Sequence, residues 1–269
     1  MAGDLNKLTV SRDLLIKETQ AREKAQNILL RKSMEYEKKL ENEVELKTQE
    51  LKETVNRLKK ASLETIYRLS LAAEYRDGDT GKHLLRMSHY TAAIARKLGL
   101  DKKYVEAILY ASLMHDVGKI GISDTILLKP GKLTPYEWEV MKKHTLIGAR
   151  MLQDSEAEFI DLARNIALTH HERWDGSGYP NGLKGEEIDL AGRITAIADV
   201  FDAVTSTRPY KEAFSVEAAF EIIWQGRGTH FDPRIVDAFF EIKEEILEIM
   251  NNEKLLNAAE TIIMNGHRI

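Results

Sequence analysis

The residues best suited to chemistry lie in one pentapeptide, His115-Asp116-Val117-Gly118-Lys119. An imidazole and a carboxylate are adjacent, and an ammonium group follows three positions after the carboxylate. The preceding residues, 107–114, are mostly apolar and predict a buried helix. Charged groups at the end of a buried helix cost free energy unless partners compensate them. The pentapeptide therefore predicts a site whose remaining groups come from elsewhere in the chain.

Other histidines and aspartates can supply those groups. Five of the eight histidines fall on predicted helix faces or ends, and Asp199 interrupts an apolar helix. Each of these residues alone is more often structural than a ligand. Together they are typical of a polynuclear site with nitrogen and oxygen ligands, and the chain has no cysteine to add thiolates. The candidate ligands are His83, His115, Asp116, His144, His170, His171 and Asp199.

Adjacent ligands indicate more than one metal ion. The pairs His115-Asp116 and His170-His171 cannot point from the same face of a helix. Their members could therefore serve different ions, and a carboxylate with two oxygens could bridge them. Soft metals are disfavoured, whereas iron, manganese or another first-row divalent ion fits these ligands.

A second motif carries a specific resemblance. Residues 170–180 read His-His-Glu-Arg-Trp-Asp-Gly-Ser-Gly-Tyr-Pro and resemble HHExxDGxGYP, the defining motif of the HD-GYP subgroup. This subgroup belongs to the HD superfamily of metal-dependent phosphohydrolases, whose first motif resembles His115-Asp116 here. The resemblance spans about residues 63–250. It implies an all-α, HD-type domain that hydrolyses the bacterial second messenger cyclic di-GMP to pGpG, with GMP as the product of further hydrolysis.

The resemblance also implies roles for individual residues. The seven candidates above would hold two or three divalent ions, iron first and manganese as the alternative. Asp116 would bridge two ions, and the hydroxide between them would attack the phosphodiester. Lys119 would contact a phosphate or protonate the leaving oxygen. The other expected substrate contacts are Tyr179, Asp202, Arg208 and Lys211.

Several of these assignments have open alternatives. Asp79 stands where members with three metals carry Glu, four residues before His83, so it is either a ligand of a third ion or the cap of the helix that follows. Asp202 is either a general base or a group that orients water. The alternative for the basic pair at 208 and 211 is a solvated loop. Glu172 and Asp175 either hold histidine rings or cap their loop.

The elements that position this site are predicted to be helical, because no convincing strand pattern occurs. One expected helix begins after Thr134, with Pro135 in its first turn, and continues through His144 towards residue 152. Asp199 and Asp202 fall on another helix, expected over residues 191–204. The fold is therefore expected to be all-α.

The N-terminal region has a different pattern. Residues 1–62 are rich in Lys, Glu, Leu, Gln and Arg and predict one long helix. Its sparse apolar stripe consists of Leu8, Leu15, Leu29, Tyr36, Val44, Leu51 and Leu58, with Arg22 interrupting. Such a stripe favours a coiled coil, and hence a homodimer, over a single helix lying on the globular domain. We therefore divide the chain into a helical linker, 1–62, and an HD-GYP phosphodiesterase domain, 63–269. An upstream sensor or receiver domain is expected to be absent from this chain.

Bulk properties exclude some function classes. The net charge of −4 argues against a nucleic acid polymer as partner. No apolar run approaches the roughly 20 residues of a membrane span, and no signal peptide is visible, so a cytoplasmic location is expected. Three alternatives to cyclic di-GMP hydrolysis remain. They are an HD phosphohydrolase acting on another nucleotide, a non-catalytic cyclic di-GMP-binding signalling module, and oxygen chemistry at a di-iron centre.

Overall fold

A computed structural model describes residues 2–76, 81–206 and 213–252, with side chains from residue 12 onwards. These residues form α-helices and no β-strand, which confirms the predicted all-α fold. The helices are α1 (Ala2–Tyr75), α2 (Lys82–Lys97), α3 (Lys102–Ala111), α4 (Asp124–Leu127), α5 (Pro135–Lys142), α6 (His144–Met151), α7 (Glu158–Thr169), α8 (Leu190–Thr205), α9 (Val216–Gln225), α10 (Pro233–Glu241) and α11 (Lys243–Met250). Short 3₁₀ helices cover Ser112–Met114, Val117–Gly121 and Gly185–Glu187.

The chain divides into two compact units, Met1–Ala61 and Ser62–Ile269. The first unit consists of the greater part of α1, the predicted long helix. Its large apolar side chains are exposed in the single chain, including Leu29, Leu51 and Leu58. A coiled coil through this stripe stays a prediction. Within the described ranges, no helix is both long enough and apolar enough to cross a membrane.

The second unit begins within α1, whose last turns bury one face. Tyr67, Leu71 and Glu74 follow one another at spacings of four and three residues, so they lie on one side of the helix. All three are buried. Tyr67 and Leu71 belong to a small apolar cluster with Leu84 and Leu113. This face of α1 therefore lies next to the start of α2 and the turn that precedes the pentapeptide.

The main core surrounds α8. The Phe201 ring lies 5.0 Å from that of Phe220, 5.2 Å from that of Phe239 and 5.6 Å from that of Tyr90, centroid to centroid. These contacts join α8 to α9, α10 and α2. Phe201 is fully buried and lies between the two aspartates predicted for the site. The core therefore determines which way Asp199 and Asp202 project.

The helix expected from Pro135 through His144 is in fact two helices. The predicted start is confirmed, because Thr134 and Glu137 form a reciprocal capping box. The chain then breaks at Lys143, and α6 begins at His144. The imidazole Nδ1 of His144 donates to the carbonyl of Met141 at 2.8 Å, one of the acceptors that the last turn of a helix leaves unsatisfied. The break thus places His144 at a helix start with its ring already anchored.

Candidate metal centre

A tight turn presents the His-Asp pair. The 3₁₀ helix Ser112–Met114 shortens the end of α3, and a second one begins at Val117. Gly118 is buried beneath α6, and a Cβ at this position would collide with the carbonyl oxygen of His144 and the amide of Gly148. Glycine is therefore the residue that lets the pentapeptide lie directly against α6. This close packing brings Asp116 next to His144.

Backbone carbonyls orient three of the histidines. Their Nδ1 atoms donate to carbonyl oxygens, His115 to Ser112 at 3.0 Å, His144 to Met141 at 2.8 Å and His170 to Ile166 at 3.0 Å. A carbonyl only accepts, so the proton of the neutral ring is on Nδ1 and the Nε2 lone pair is free. The Nε2 atoms of all three rings are buried without a hydrogen-bond partner among the described residues. These unsatisfied lone pairs fit metal ligands.

A carboxylate, rather than a carbonyl, orients His83. Its Nδ1 donates to Asp202 Oδ2 at 2.8 Å, and its Nε2 lies 3.5 Å from Asp199 Oδ1. Arg86 donates to both oxygens of Asp202, at 2.6 and 2.8 Å. Asp202 is fully buried, and its predicted role as a general base or substrate contact stays a prediction. Its observed hydrogen bond orients the His83 ring.

Asp116 has a different neighbour on each side. Its Oδ1 lies 3.2 Å from Nε2 of His144 and 3.5 Å from Nε2 of His170. Its Oδ2 lies 3.3 Å from Nε2 of His115 and 2.8 Å from Nζ of Lys119. The two oxygens therefore face two separate histidine groups, which is the arrangement that a bridging carboxylate requires.

The predicted ligands come together in two main groups. Ligand atoms within 4.8 Å of one another are offered by Asp116, His144, His170 and His171 in one group and by His83, His115 and Asp199 in the other. All are imidazole nitrogens or carboxylate oxygens, a donor set that suits first-row divalent ions. The grouping of these atoms and the unsatisfied Nε2 atoms show that the residues present are suited to bind divalent metal ions.

Burial and charge set the protonation of the cluster. Burial lowers the pKa of His170 and lowers that of His171 well below its usual value, so both rings are neutral. Burial alone would raise the pKa of Asp116, but Lys119 and His115 outweigh it and hold this pKa well below the ordinary value. Against the effect of burial, the hydrogen bond and charge of Asp202 raise the pKa of His83 to about 9. With this raised pKa, the His83 ring carries a proton on Nε2 as well as on Nδ1 at neutral pH, and a cation that binds Nε2 would have to displace it.

The second motif forms a loop beside the cluster. The Tyr179 ring stacks on that of His171 at 4.8 Å and meets the Trp138 ring edge-on at 6.0 Å. Glu172 accepts hydrogen bonds from the amides of Asn181 and Leu183, at 2.7 and 3.0 Å. Asp175 accepts from the amide and hydroxyl of Ser177. Of the two roles left open for these acids, the structure favours closing the loop.

Three predicted site residues lie outside the described residues, namely Asp79, Arg208 and Lys211. Two residues that the sequence did not single out lie close to the ligands. Arg86 neutralises Asp202, and Glu74 is buried on the last turns of α1. A signal for Glu74 existed, because it continues the apolar face of Tyr67 and Leu71 at helical spacing. For Arg86, the only indication in the sequence is that it lies three residues after His83 and so on the same side of the helix.

Comparisons with known proteins agree with this geometry. The family model described as "HD domain" matches residues 38–235. The chain is 49% identical over 201 residues to the cyclic di-GMP phosphodiesterase response regulator RpfG of Xanthomonas campestris, covering 75% of this chain and 53% of that protein. It is 48% identical over 186 residues to a cyclic di-GMP phosphodiesterase of Thermotoga maritima, covering 69% and 50%.

A relative with another named substrate is also similar. The chain is 44% identical over 192 residues to the 3'3'-cGAMP-specific phosphodiesterase 2 of Vibrio cholerae, covering 71% of this chain and 37% of that protein. The chain thus spans about half the length, or less, of these relatives. The crystal structure of a cyclic GMP-AMP-specific phosphodiesterase of V. cholerae shares the fold, with a TM-score of 0.56 at 21% identity over 74% of this chain and 53% of that one.

Proposed function

This chain belongs to the HD domain family, and we propose that it is a metal-dependent phosphodiesterase that hydrolyses cyclic di-GMP to pGpG. The observation that carries the proposal is Asp116. Its Oδ1 faces the Nε2 atoms of His144 and His170, its Oδ2 faces the Nε2 atom of His115, and none of these three nitrogens has a hydrogen-bond partner among the described residues. The complete second motif and the relatives named cyclic di-GMP phosphodiesterases support the substrate. GMP is the product expected if hydrolysis continues.

HD-domain phosphohydrolases use divalent metals, and the cluster described here can bind them. We propose two ions, iron first and manganese as the alternative, since the ligands form two groups and thiolates are absent. Asp116, His144, His170 and His171 would hold one ion, and His83, His115 and Asp199 would hold the other, with Asp116 between them. When bound, such ions lower the pKa of a coordinated water and neutralise phosphate charge.

The chain's own side chains would bind and orient the phosphodiester. Lys119, whose Nζ lies 2.8 Å from Asp116 Oδ2, is a positive charge at the edge of the cluster. It can hold a non-bridging phosphate oxygen or give a proton to the leaving oxygen. Tyr179, stacked on His171, offers an aromatic surface beside the same position. Arg208 and Lys211 remain the proposed phosphate contacts further along the chain.

Product analysis tests the proposal. The full chain, loaded with iron or manganese, is incubated with cyclic di-GMP, and the nucleotides are separated by chromatography. We expect pGpG to appear with wild-type protein and to be absent with Asp116→Asn, because that variant loses the carboxylate placed between the two histidine groups. If the wild-type chain binds these metals and cleaves a nucleoside monophosphate or triphosphate but not cyclic di-GMP, the proposed substrate is wrong.

The same assay separates two other functions. The 44% identity to a 3'3'-cGAMP-specific phosphodiesterase makes 3'3'-cGAMP the second candidate substrate, and a higher kcat/KM for it than for cyclic di-GMP would select it. A metal-loaded chain that binds cyclic di-GMP tightly and never releases pGpG would instead be a signalling module without turnover.

A further inference from the structure

The last turn of α1 carries an acid with no assigned role. Glu74 is only 4% exposed, and its Oε1 finds no hydrogen-bond partner among the described residues. A buried carboxylate oxygen without a partner costs free energy, because the hydration it loses is not replaced. Glu74 is therefore expected to have a partner that is not a described side chain or backbone group.

The surroundings of Glu74 indicate what that partner is. A carboxylate oxygen of Glu74, a nitrogen of His115 and an oxygen of Asp116 lie within 4.8 Å of one another. The nitrogen available is Nε2 of His115, since its Nδ1 is engaged with Ser112. Ligands about 2.1 Å from one ion lie about 3–4 Å apart, so the three atoms can close on a single cation after small rotamer shifts. Two of the three residues already belong to the proposed cluster.

We propose that Glu74 is a metal ligand, which with His115 and Asp116 holds a divalent cation on the α1 side of the cluster. This inference rests on the proposed metal site and adds to it a ligand from an element outside both sequence motifs. It is independent of Asp79, the residue predicted for a third ion, which lies outside the described residues. The proposal also means that α1 contributes directly to the metal centre through its final turn.

A structural role for Glu74 makes different predictions from a ligand role. If Glu74 served only as a countercharge to neighbouring cations, Glu74→Gln would lower the melting temperature of the metal-free chain and leave metal binding unchanged. If Glu74 is a ligand, it is uncompensated without metal, so the metal-free Glu74→Gln chain should melt at the same temperature as wild type or higher. Its gain in melting temperature on adding Mn²⁺ should then be smaller.

Metal stoichiometry and melting temperature together form the experiment. Full-length wild type and Glu74→Gln are stripped with chelator, titrated with Mn²⁺, and analysed for bound metal per chain by mass spectrometry. We expect Glu74→Gln to bind one ion fewer than wild type or to bind that ion at least tenfold more weakly. The matched control is Glu64→Gln, since Glu64 is an exposed acid on the same helix that pairs with Arg68. It should bind metal like wild type.

The outcomes distinguish this inference from the proposed function. Equal stoichiometry and affinity in wild type and Glu74→Gln would overturn the role of Glu74 and leave the cluster intact. A wild-type chain that binds no divalent ion would overturn both. If Glu74→Gln does not fold, crystals of the Mn²⁺-loaded wild-type chain decide. An anomalous peak at bonding distance from a Glu74 oxygen supports the inference, and an occupied cluster without such a peak overturns it.

Discussion

At the residue scale, the site depends on how each ligand is oriented as much as on which ligands are present. Three imidazoles are oriented by backbone carbonyls, whereas His83 depends on the side chain of Asp202. A carbonyl cannot be removed by mutation, but a carboxylate can. His83 is therefore the ligand whose orientation can be tested directly.

We expect Asp202→Asn to weaken metal binding by roughly 10- to 100-fold, as is typical when a group that orients a ligand is lost. If Asp202 acts only by orienting His83, with which it forms a buried hydrogen bond, excess Mn²⁺ should restore most of kcat and leave KM for cyclic di-GMP near wild type. Titration calorimetry with Mn²⁺, followed by kinetics at saturating metal, measures both effects.

The control for this prediction is Ser206→Ala, which removes a hydroxyl donor to the same carboxylate but keeps the bond from Asp202 to His83. It should leave metal affinity close to wild type. A turnover defect in Asp202→Asn that no concentration of metal relieves would instead support the general-base role considered from the sequence.

At the element scale, close packing between the pentapeptide turn and α6 brings the two sides of the cluster together. Gly118 allows this approach because any side chain there would meet the backbone of α6. Gly118 therefore affects the site through packing, and a larger residue at this position should change the distance between Asp116 and His144.

Gly118→Ala should push α6 away and so weaken metal binding, with a loss of about 1–3 kcal/mol in the free energy of unfolding, typical of overpacking. Denaturant unfolding and metal analysis check both effects. Gly131→Ala is the control for the metal content alone. Its φ of 107° makes the substitution strained and therefore destabilising, but a Cβ there would meet nothing within 4 Å and the residue lies outside the cluster, so this variant should lose stability and keep wild-type metal content. Wild-type metal content in Gly118→Ala would contradict the importance of this contact.

The apolar stripe of α1 predicts a homodimer, and two leucines of equal type allow a matched test. Leu51 lies on the stripe and is 64% exposed, while Leu46 is 63% exposed and lies about 140° around the helix from Leu51. Sedimentation of the full chain should show a dimer that Leu51→Lys dissociates, because a charge then lies in the apolar seam. Leu46→Lys should leave it intact.

If Leu46→Lys dissociates the dimer and Leu51→Lys does not, the helices pair through another face of α1. A wild-type chain that is monomeric at all concentrations would exclude the coiled coil.

At the scale of the whole molecule, the ligands come from distant parts of the chain. They lie on α2, on the turn after α3, at the start of α6, at the end of α7 and on α8. Without cations, the buried Nε2 atoms of His115, His144 and His170 and the Oδ1 atom of Asp116 have no hydrogen-bond partner within the described parts of the chain. Metal binding should therefore stabilise the folded state of this unit.

Removing metal with a chelator should lower the melting temperature by an amount of the order of 10 °C. This follows from about 4 kcal/mol of stabilisation at a ligand concentration a thousand times Kd, for a unit of this size. Calorimetry before and after chelation measures the shift, and readdition of Mn²⁺ should reverse it. The same melting temperature in both states would show that the cluster does not bind metal under these conditions.

The sequence by itself determined the helical class, the seven candidate ligands and the chemical type of their donor atoms. Helical periodicity and donor chemistry are local properties, and the two motifs are contiguous, so each can be seen without coordinates. The capping box at Thr134 and Glu137 could be anticipated for the same reason, since it depends on residues three positions apart.

Only the tertiary structure decided how the ligands divide and what supports them. Three of these features are contacts between residues far apart in the chain: those of Asp116 with His144 and His170, the hydrogen bond between Asp202 and His83, and the position of Glu74 beside His115. A single sequence does not show which distant residues are in contact. The break before His144 was not predicted from the sequence. It accompanies two contacts that only the coordinates show, the hydrogen bond from His144 Nδ1 to the Met141 carbonyl and the packing of Gly118 against His144 and Gly148. Periodicity shows which face of a helix is buried, whereas packing between helices decides what that face meets.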